Sequence, residues 1–172
     1  MGFWSRVLAI AAVVMVALAP TMGQAQSREI ELLTSYVGDW RGESALVGGG
    51  KSEPFRCRLN VSTGNLGKIN YTGRCTLVNA TLSISGTIAY VAANNRYEAA
   101  MSSNAGYTGL AIGRVSGDRI SFDLREQAKD KAGSDVRIGA AILLNDDRIT
   151  VDFEVEFNNS GEVLKASVPF SR

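Results

Sequence analysis

Apolar and polar residues alternate without a break over residues 149–157. Ile149, Val151, Phe153, Val155 and Phe157 fall on one side, and Thr150, Asp152, Glu154 and Glu156 on the other. A period of two marks a strand buried on one face only. Ile120, Phe122 and Leu124 alternate with Arg119, Ser121, Asp123 and Arg125 in the same way. From Gly38 onward this period recurs between turn-forming clusters, among them Gly48-Gly49-Gly50, Asn79-Ala80, Ala93-Asn94, Gly117-Asp118, Asp146-Asp147 and Ser160-Gly161. The spacing predicts ten strands, near 38–47, 53–63, 68–78, 81–92, 95–103, 107–116, 119–125, 135–145, 148–158 and 162–171. Upstream, Ser27 can cap a short helix over 28–36, with Ile30, Leu33 and Val37 along one side.

The turns can be tested against the faces they bring together. With Asn65-Leu66-Gly67 as a turn, Val61 faces Tyr71, Leu59 faces Gly73, Cys57 faces Cys75 and Phe55 faces Leu77. Every one of these pairs contains an apolar or aromatic residue, so one register serves both the cysteines and the apolar face. A non-hydrogen-bonded antiparallel pair brings Cα atoms to about 4.5 Å, within disulfide range. Cys57 and Cys75 are the only cysteines, so an intramolecular disulfide and an oxidising compartment are expected. Two-residue loops at Gly117-Asp118, Ala93-Asn94 and Ser160-Gly161 pair Gly113 with Phe122, Tyr90 with Tyr97, and Val155 with Ala166. A Gly50-Lys51 loop pairs Trp40 with Val61 and Gly42 with Leu59. Residues 126–133 are charged and read as a solvated loop.

The inner face assembled this way contains no Asp, Glu, Lys or Arg within the paired strands. It runs from Trp40 and Leu46 through Tyr71, Ile88 and Met101 to Val168 and Phe170. Hairpin-linked strands in this number curl and close, which removes exposed edges. The fold class is therefore all-β: an up-and-down antiparallel barrel of about ten strands with a short N-terminal helix and one disulfide. Gly42, Gly73, Gly86, Gly109 and Gly113 lie on the same face and are expected to leave interior room; a flattened, filled barrel is the alternative.

Residues 1–25 have the layout of a secretory signal: Arg6, an apolar run from Val7 to Ala19, Pro20, and small residues before Gln26. The apolar run is shorter than the ~20 residues a spanning helix needs. Residues 26–172 then form one domain, expected to be periplasmic or secreted. Arg6 is one of 18 basic residues, and the remainder equal the 17 acidic ones, so nothing attracts a polyanion and no nucleic-acid partner is expected. The absence of histidine removes Ser-His-Asp and Cys-His chemistry, and a disulfide leaves no thiolate. Asp152, Glu154 and Glu156 alternate on an outer face, where solvation explains them better than glycoside hydrolysis. No enzyme activity, metal site or cofactor is expected.

Gly38-Asp39-Trp40-Arg41-Gly42, after a short helix and at the start of the first strand, resembles the Gly-x-Trp entry of calycin-type barrels. That superfamily includes lipocalins, fatty-acid-binding proteins and the haem-binding nitrobindins. The resemblance rests on Gly38 and Trp40 and implies a barrel whose first-strand tryptophan plugs one end, often around a small apolar ligand. His-ligated haem is excluded because the chain has no histidine. Small bacterial metalloprotease inhibitors share the Gly-x-Trp barrel and single disulfide.

A binding protein that holds a small, mainly apolar molecule inside the barrel is the leading expectation. Ser44, Tyr71, Tyr90 and Tyr97 would supply orienting hydroxyls, and Met101 shares their face. The first alternative is a protein-interaction module, such as a protease inhibitor acting through residues 26–34. The second is an outer-membrane barrel with its apolar face turned to lipid; the cysteines and glycines on that face, and the lack of an aromatic girdle, count against it.

Overall fold

A computed structural model of the chain describes residues 22–104, 108–129 and 133–172. Helix α1 (Met22–Thr34) precedes strands β1 (Gly38–Gly48), β2 (Lys51–Thr63), β3 (Ile69–Thr76), β4 (Thr81–Val91) and β5 (Arg96–Ser103). These are followed by β6 (Thr108–Ser116), β7 (Arg119–Lys129), β8 (Asp135–Asn145), β9 (Arg148–Phe157) and β10 (Val163–Ser171). Each strand pairs antiparallel with its neighbours in sequence, and β1 pairs with β10, so the barrel is closed. The expected signal segment lies outside the described residues as far as residue 21.

The β2–β3 register is the expected one. Cys57 pairs with Cys75 at a Cα separation of 4.0 Å, and the disulfide is formed. Tyr90 with Tyr97, and Gly113 with Phe122, also pair as expected. Two hairpins differ by two residues. Trp40 faces Leu59 rather than Val61, because Gly49 and Gly50, with φ of 55° and 72°, form the turn in place of Gly50-Lys51. Val155 faces Leu164 rather than Ala166, because the loop spans residues 158–161 instead of Ser160-Gly161. A shift of two keeps every side chain on its face, so the interior is unchanged.

Two element boundaries also move. The expected solvated loop at 126–133 is strand as far as Lys129, which pairs with Asp135. Its described side chains, Glu126, Gln127 and Lys129, are exposed, so this end of β7 projects past the core and shows no apolar alternation. Ser27 lies inside α1 rather than capping it, and the helix stops at Thr34. There the Thr34 hydroxyl donates to the Ile30 carbonyl (3.0 Å) and the Ser35 hydroxyl to the Leu32 carbonyl (2.7 Å). The Ser35 hydroxyl thereby satisfies the Leu32 carbonyl, which the ending helix leaves without a backbone donor, while Thr34 back-bonds within the last turn. Gly38, at φ 145°, then takes the chain into β1 in a conformation that other residues rarely adopt.

Apolar packing is uneven along the barrel axis. Leu33, Tyr36, Trp40, Ile69, Tyr97, Ile120 and Phe122 are fully buried, and all lie at the end that α1 covers. Leu46, Leu77, Leu82, Ile84, Met101, Ile138 and Phe153 share the inner face at or toward the opposite rim and are only half-buried. One end is packed; the other is hollow. The strand glycines contribute less space than expected. Tyr71 lies against Gly86, and Phe122 and Tyr97 lie against Gly113, so neighbouring rings fill both positions.

Candidate ligand-binding cavity

The hollow part of the barrel is a cavity of about 410 Å³. Leu77, Ala80, Thr81, Ser103 and Asn104 form its mouth, and Tyr36, Ile69, Ile88, Leu144, Ile149 and Phe170 its floor. Its size falls at the lower end of the ~300–1,000 Å³ typical of small-molecule sites. Arg58, exposed on the outside of β2, is the only charged residue bordering it among the described residues. At the mouth, Asn104 ties β4 to β5: its amide donates to the Thr81 carbonyl (2.9 Å) and its side-chain oxygen accepts the Ser83 N–H (2.9 Å).

The closed end is built from both ends of the described chain. Trp40, 1% exposed, donates its indole N–H to the Tyr36 carbonyl at 2.9 Å. The Arg172 guanidinium sits 4.4 Å from the Trp40 ring centroid and donates to the Ser35 carbonyl, next to the last turn of α1. A cation there also suits the negative end of the helix dipole. Tyr36 stacks beside Trp40 at a centroid distance of 6.4 Å. Its hydroxyl is buried and has no hydrogen-bond partner among the described residues. Burial, with the Asp146 and Asp118 carboxylates adding to it, pushes the Tyr36 phenol above its ordinary range against the opposing effect of Arg172. Tyr97 fastens the helix. Its hydroxyl donates to the Glu29 carboxylate at 2.6 Å, and burial, then that carboxylate, drive its pKa upward.

Of the five residues expected to touch a ligand, Tyr71 and Met101 border the cavity. The Tyr71 hydroxyl lies 3.3 Å from the Ala100 carbonyl, to which it donates. Ser44, Tyr90 and Tyr97 do not border the cavity. Ser44 donates across the β1–β10 seam to the Ser167 carbonyl at 2.5 Å. Tyr90 donates to the Asn95 side chain at 2.6 Å, beyond the packed end, and Tyr97 is engaged by the helix. Gly38 and Trp40 stand where the motif placed them, at the plugged end. Tyr36 and Arg172 were not singled out from the sequence. Tyr36 follows the helix, where no strand period applies, and Arg172 meets the Ser35 carbonyl 137 positions away.

A larger concavity, of about 800 Å³, lies across β7–β10 and β1. Asp123, Glu126, Arg137, Glu154 and Lys165 border it, so its lining is charged and mixed in sign. The interior cavity is the better candidate for an apolar molecule. Among the described residues no group of acidic, cysteine or histidine side chains is arranged to hold a metal. No described helix is long and apolar enough to cross a membrane.

No protein-family model matches the sequence, and no curated protein does. Solved structures match by shape. The crystal structure of Rv2717c from M. tuberculosis superposes with a TM-score of 0.63 at 15% identity, covering 91% of this chain and 99% of that one. The S-type phycobiliprotein lyase CPES from Guillardia theta superposes with a TM-score of 0.52 at 12% identity, covering 87% and 93%. The likeness is one of fold alone.

Proposed function

We propose that this chain is a calycin-like binding protein, exported by its N-terminal signal, that holds one small, mainly apolar molecule inside the barrel and catalyses no reaction on it. The observation that carries this reading is the uneven interior. A barrel that was only a scaffold would pack its inner face throughout, whereas here the apolar face lines about 410 Å³ of open lumen. An apolar lining with few polar groups is the usual chemistry of such a site.

The orientation of the strands supports the same reading over a membrane-spanning barrel. Arg41, Glu43, Arg56, Arg58 and Arg74 are exposed on the outside, whereas a spanning barrel turns an apolar belt outward. The segment 26–34, the expected docking strap of an inhibitor, is helical, with Leu33 fully buried and Glu29 held by Tyr97. That tie supports its use as a lid on the packed end.

Binding of about twelve methylene-sized groups at ~0.8 kcal/mol each offers about 10 kcal/mol, and association costs at least ~4. The affinity for a simple apolar ligand is therefore tens of micromolar at best. Native mass spectrometry of protein isolated from its own cells without detergent tests the reading. The expected result is a one-to-one complex with a neutral small molecule that organic extraction removes. Bare protein, with no adduct re-formed on incubation with its own cells' apolar extract, would overturn it.

A further inference from the structure

Among the described residues, every tyrosine hydroxyl around the barrel interior is engaged except one. Tyr71 bonds to the Ala100 carbonyl, Tyr90 to Asn95 and Tyr97 to Glu29. Tyr36 borders the floor of the cavity, is 1% exposed, and its hydroxyl has no partner among the described residues. A buried hydroxyl without a partner is a net cost to the fold, and native structures rarely keep one without a use. Phenylalanine would occupy the same place at no such cost. The atom therefore has a use that the protein alone does not show.

We propose that Tyr36 Oη is the polar anchor of the ligand site, and that the ligand carries an uncharged oxygen group, a hydroxyl or carbonyl, seated at the closed end with its apolar body toward the mouth. The inference rests on the binding reading above and names the ligand's chemistry. Neutrality follows from the surroundings: the other floor side chains, Ile69, Ile88, Leu144, Ile149 and Phe170, carry no charge, and the Asp118 and Asp146 carboxylates whose field reaches the Tyr36 phenol would oppose a second anion. A carboxylate brought there would lose its hydration and gain one neutral hydrogen bond, a losing exchange. A neutral hydroxyl or carbonyl loses far less water and satisfies Tyr36 at the same time. Arg172 is already committed to Trp40 and the Ser35 carbonyl, so it supplies no free cation to the floor.

Equilibrium dialysis of naphthalene, 2-naphthol and 2-naphthoate at pH 7 against wild type and Tyr36→Phe tests the proposal. The three probes share an apolar body and differ in the polar group. Tyr36→Phe is expected to weaken 2-naphthol about tenfold, the worth of a good buried hydrogen bond, and to leave naphthalene unchanged or tighter. Wild type is expected to bind 2-naphthoate at least about tenfold more weakly than 2-naphthol. Without ligand, Tyr36→Phe should melt no lower than wild type; a drop would assign the hydroxyl a purely structural role and overturn the proposal. Equal losses for naphthalene and 2-naphthol, no loss for 2-naphthol, or preferred binding of 2-naphthoate would also overturn it while the cavity reading stands. Failure of wild type to bind either naphthalene or 2-naphthol would sink both.

Discussion

Replacing Trp40 with alanine removes the centre of the packed end, and the structure sets the size of the effect. The indole is 1% exposed, so truncation costs about 3–5 kcal/mol in lost burial and cavity formation. Its N–H bond to the Tyr36 carbonyl disappears, which adds about 1 kcal/mol. The Arg172 guanidinium loses the ring beneath it, worth about 0.5–1 kcal/mol at a partly exposed site. The sum, about 4.5–7 kcal/mol, is a large share of the ~5–15 kcal/mol that holds a domain folded. At about 3 °C per kcal/mol for a chain of this size, Trp40→Ala should melt about 14–21 °C lower. Thermal melts followed by circular dichroism measure this directly. Trp40→Phe, which keeps much of the apolar volume but not the N–H, should lose only a fraction of that. From Gln26 onward Trp40 is the only tryptophan, so its emission in the native protein should be blue-shifted and move red on unfolding. A Trp40→Ala melt within about 3 °C of wild type would refute the assignment of this residue as the plug.

Three further outcomes are expected. The Tyr97 and Tyr36 phenols both sit above their ordinary pKa of 10.0 in the folded protein, so the unfolded chain releases protons first and stability falls as pH rises past about 10. Urea midpoints between about pH 9 and 11 should show that fall, and Tyr97→Phe should flatten it while lowering neutral-pH stability by about 1–2 kcal/mol. Gly86→Ala would bring a methyl group against the Ala100 carbonyl and the Tyr71 hydroxyl, and should cost about 1–3 kcal/mol by chemical denaturation. Arg41, Arg58 and Arg74 stand directly opposite one another across β1, β2 and β3, with no carboxylate in ion-pair contact among the described residues. Arg58→Glu should therefore raise stability by about 0.5–1 kcal/mol, an effect that shrinks in high salt.

The barrel was legible in the sequence because a period of two survives errors in the turns. Gly49-Gly50 and residues 158–161 form different loops from those expected, yet each shifts its register by two and leaves the inner face intact. Cys57 and Cys75 gave a check of register that no other hairpin offered. Residues 126–129 misled because Glu126, Gln127 and Lys129 are polar and exposed, so this end of the strand looks like a loop in composition. The site was harder. Tyrosines on the inner face were natural candidates, but whether each hydroxyl is free depends on partners far away in sequence. Glu29 claims Tyr97, and Ala100 claims Tyr71. Tyr36 follows the helix, and its neighbourhood exists only once β1 and the chain end at Arg172 have closed around it. No local pattern marks such a residue.

The central claim is that the half-packed barrel receives its ligand in the lumen. Fluorescence titration of N-phenyl-1-naphthylamine, a neutral apolar dye, into wild type and Val168→Phe separates the lumen from the outer surface. Val168 is 6% exposed and borders the lumen but not the charged concavity across β7–β10, so a ring there fills the lumen alone. Val151→Leu, also on the lumen lining only, serves as a milder second block should the first variant fold poorly. One dye per wild-type chain is expected, with enhanced, blue-shifted emission, and at least about tenfold weaker binding by a blocked variant that melts as wild type does. Equal dye binding by wild type and a folded, blocked variant would place the site elsewhere and contradict the account.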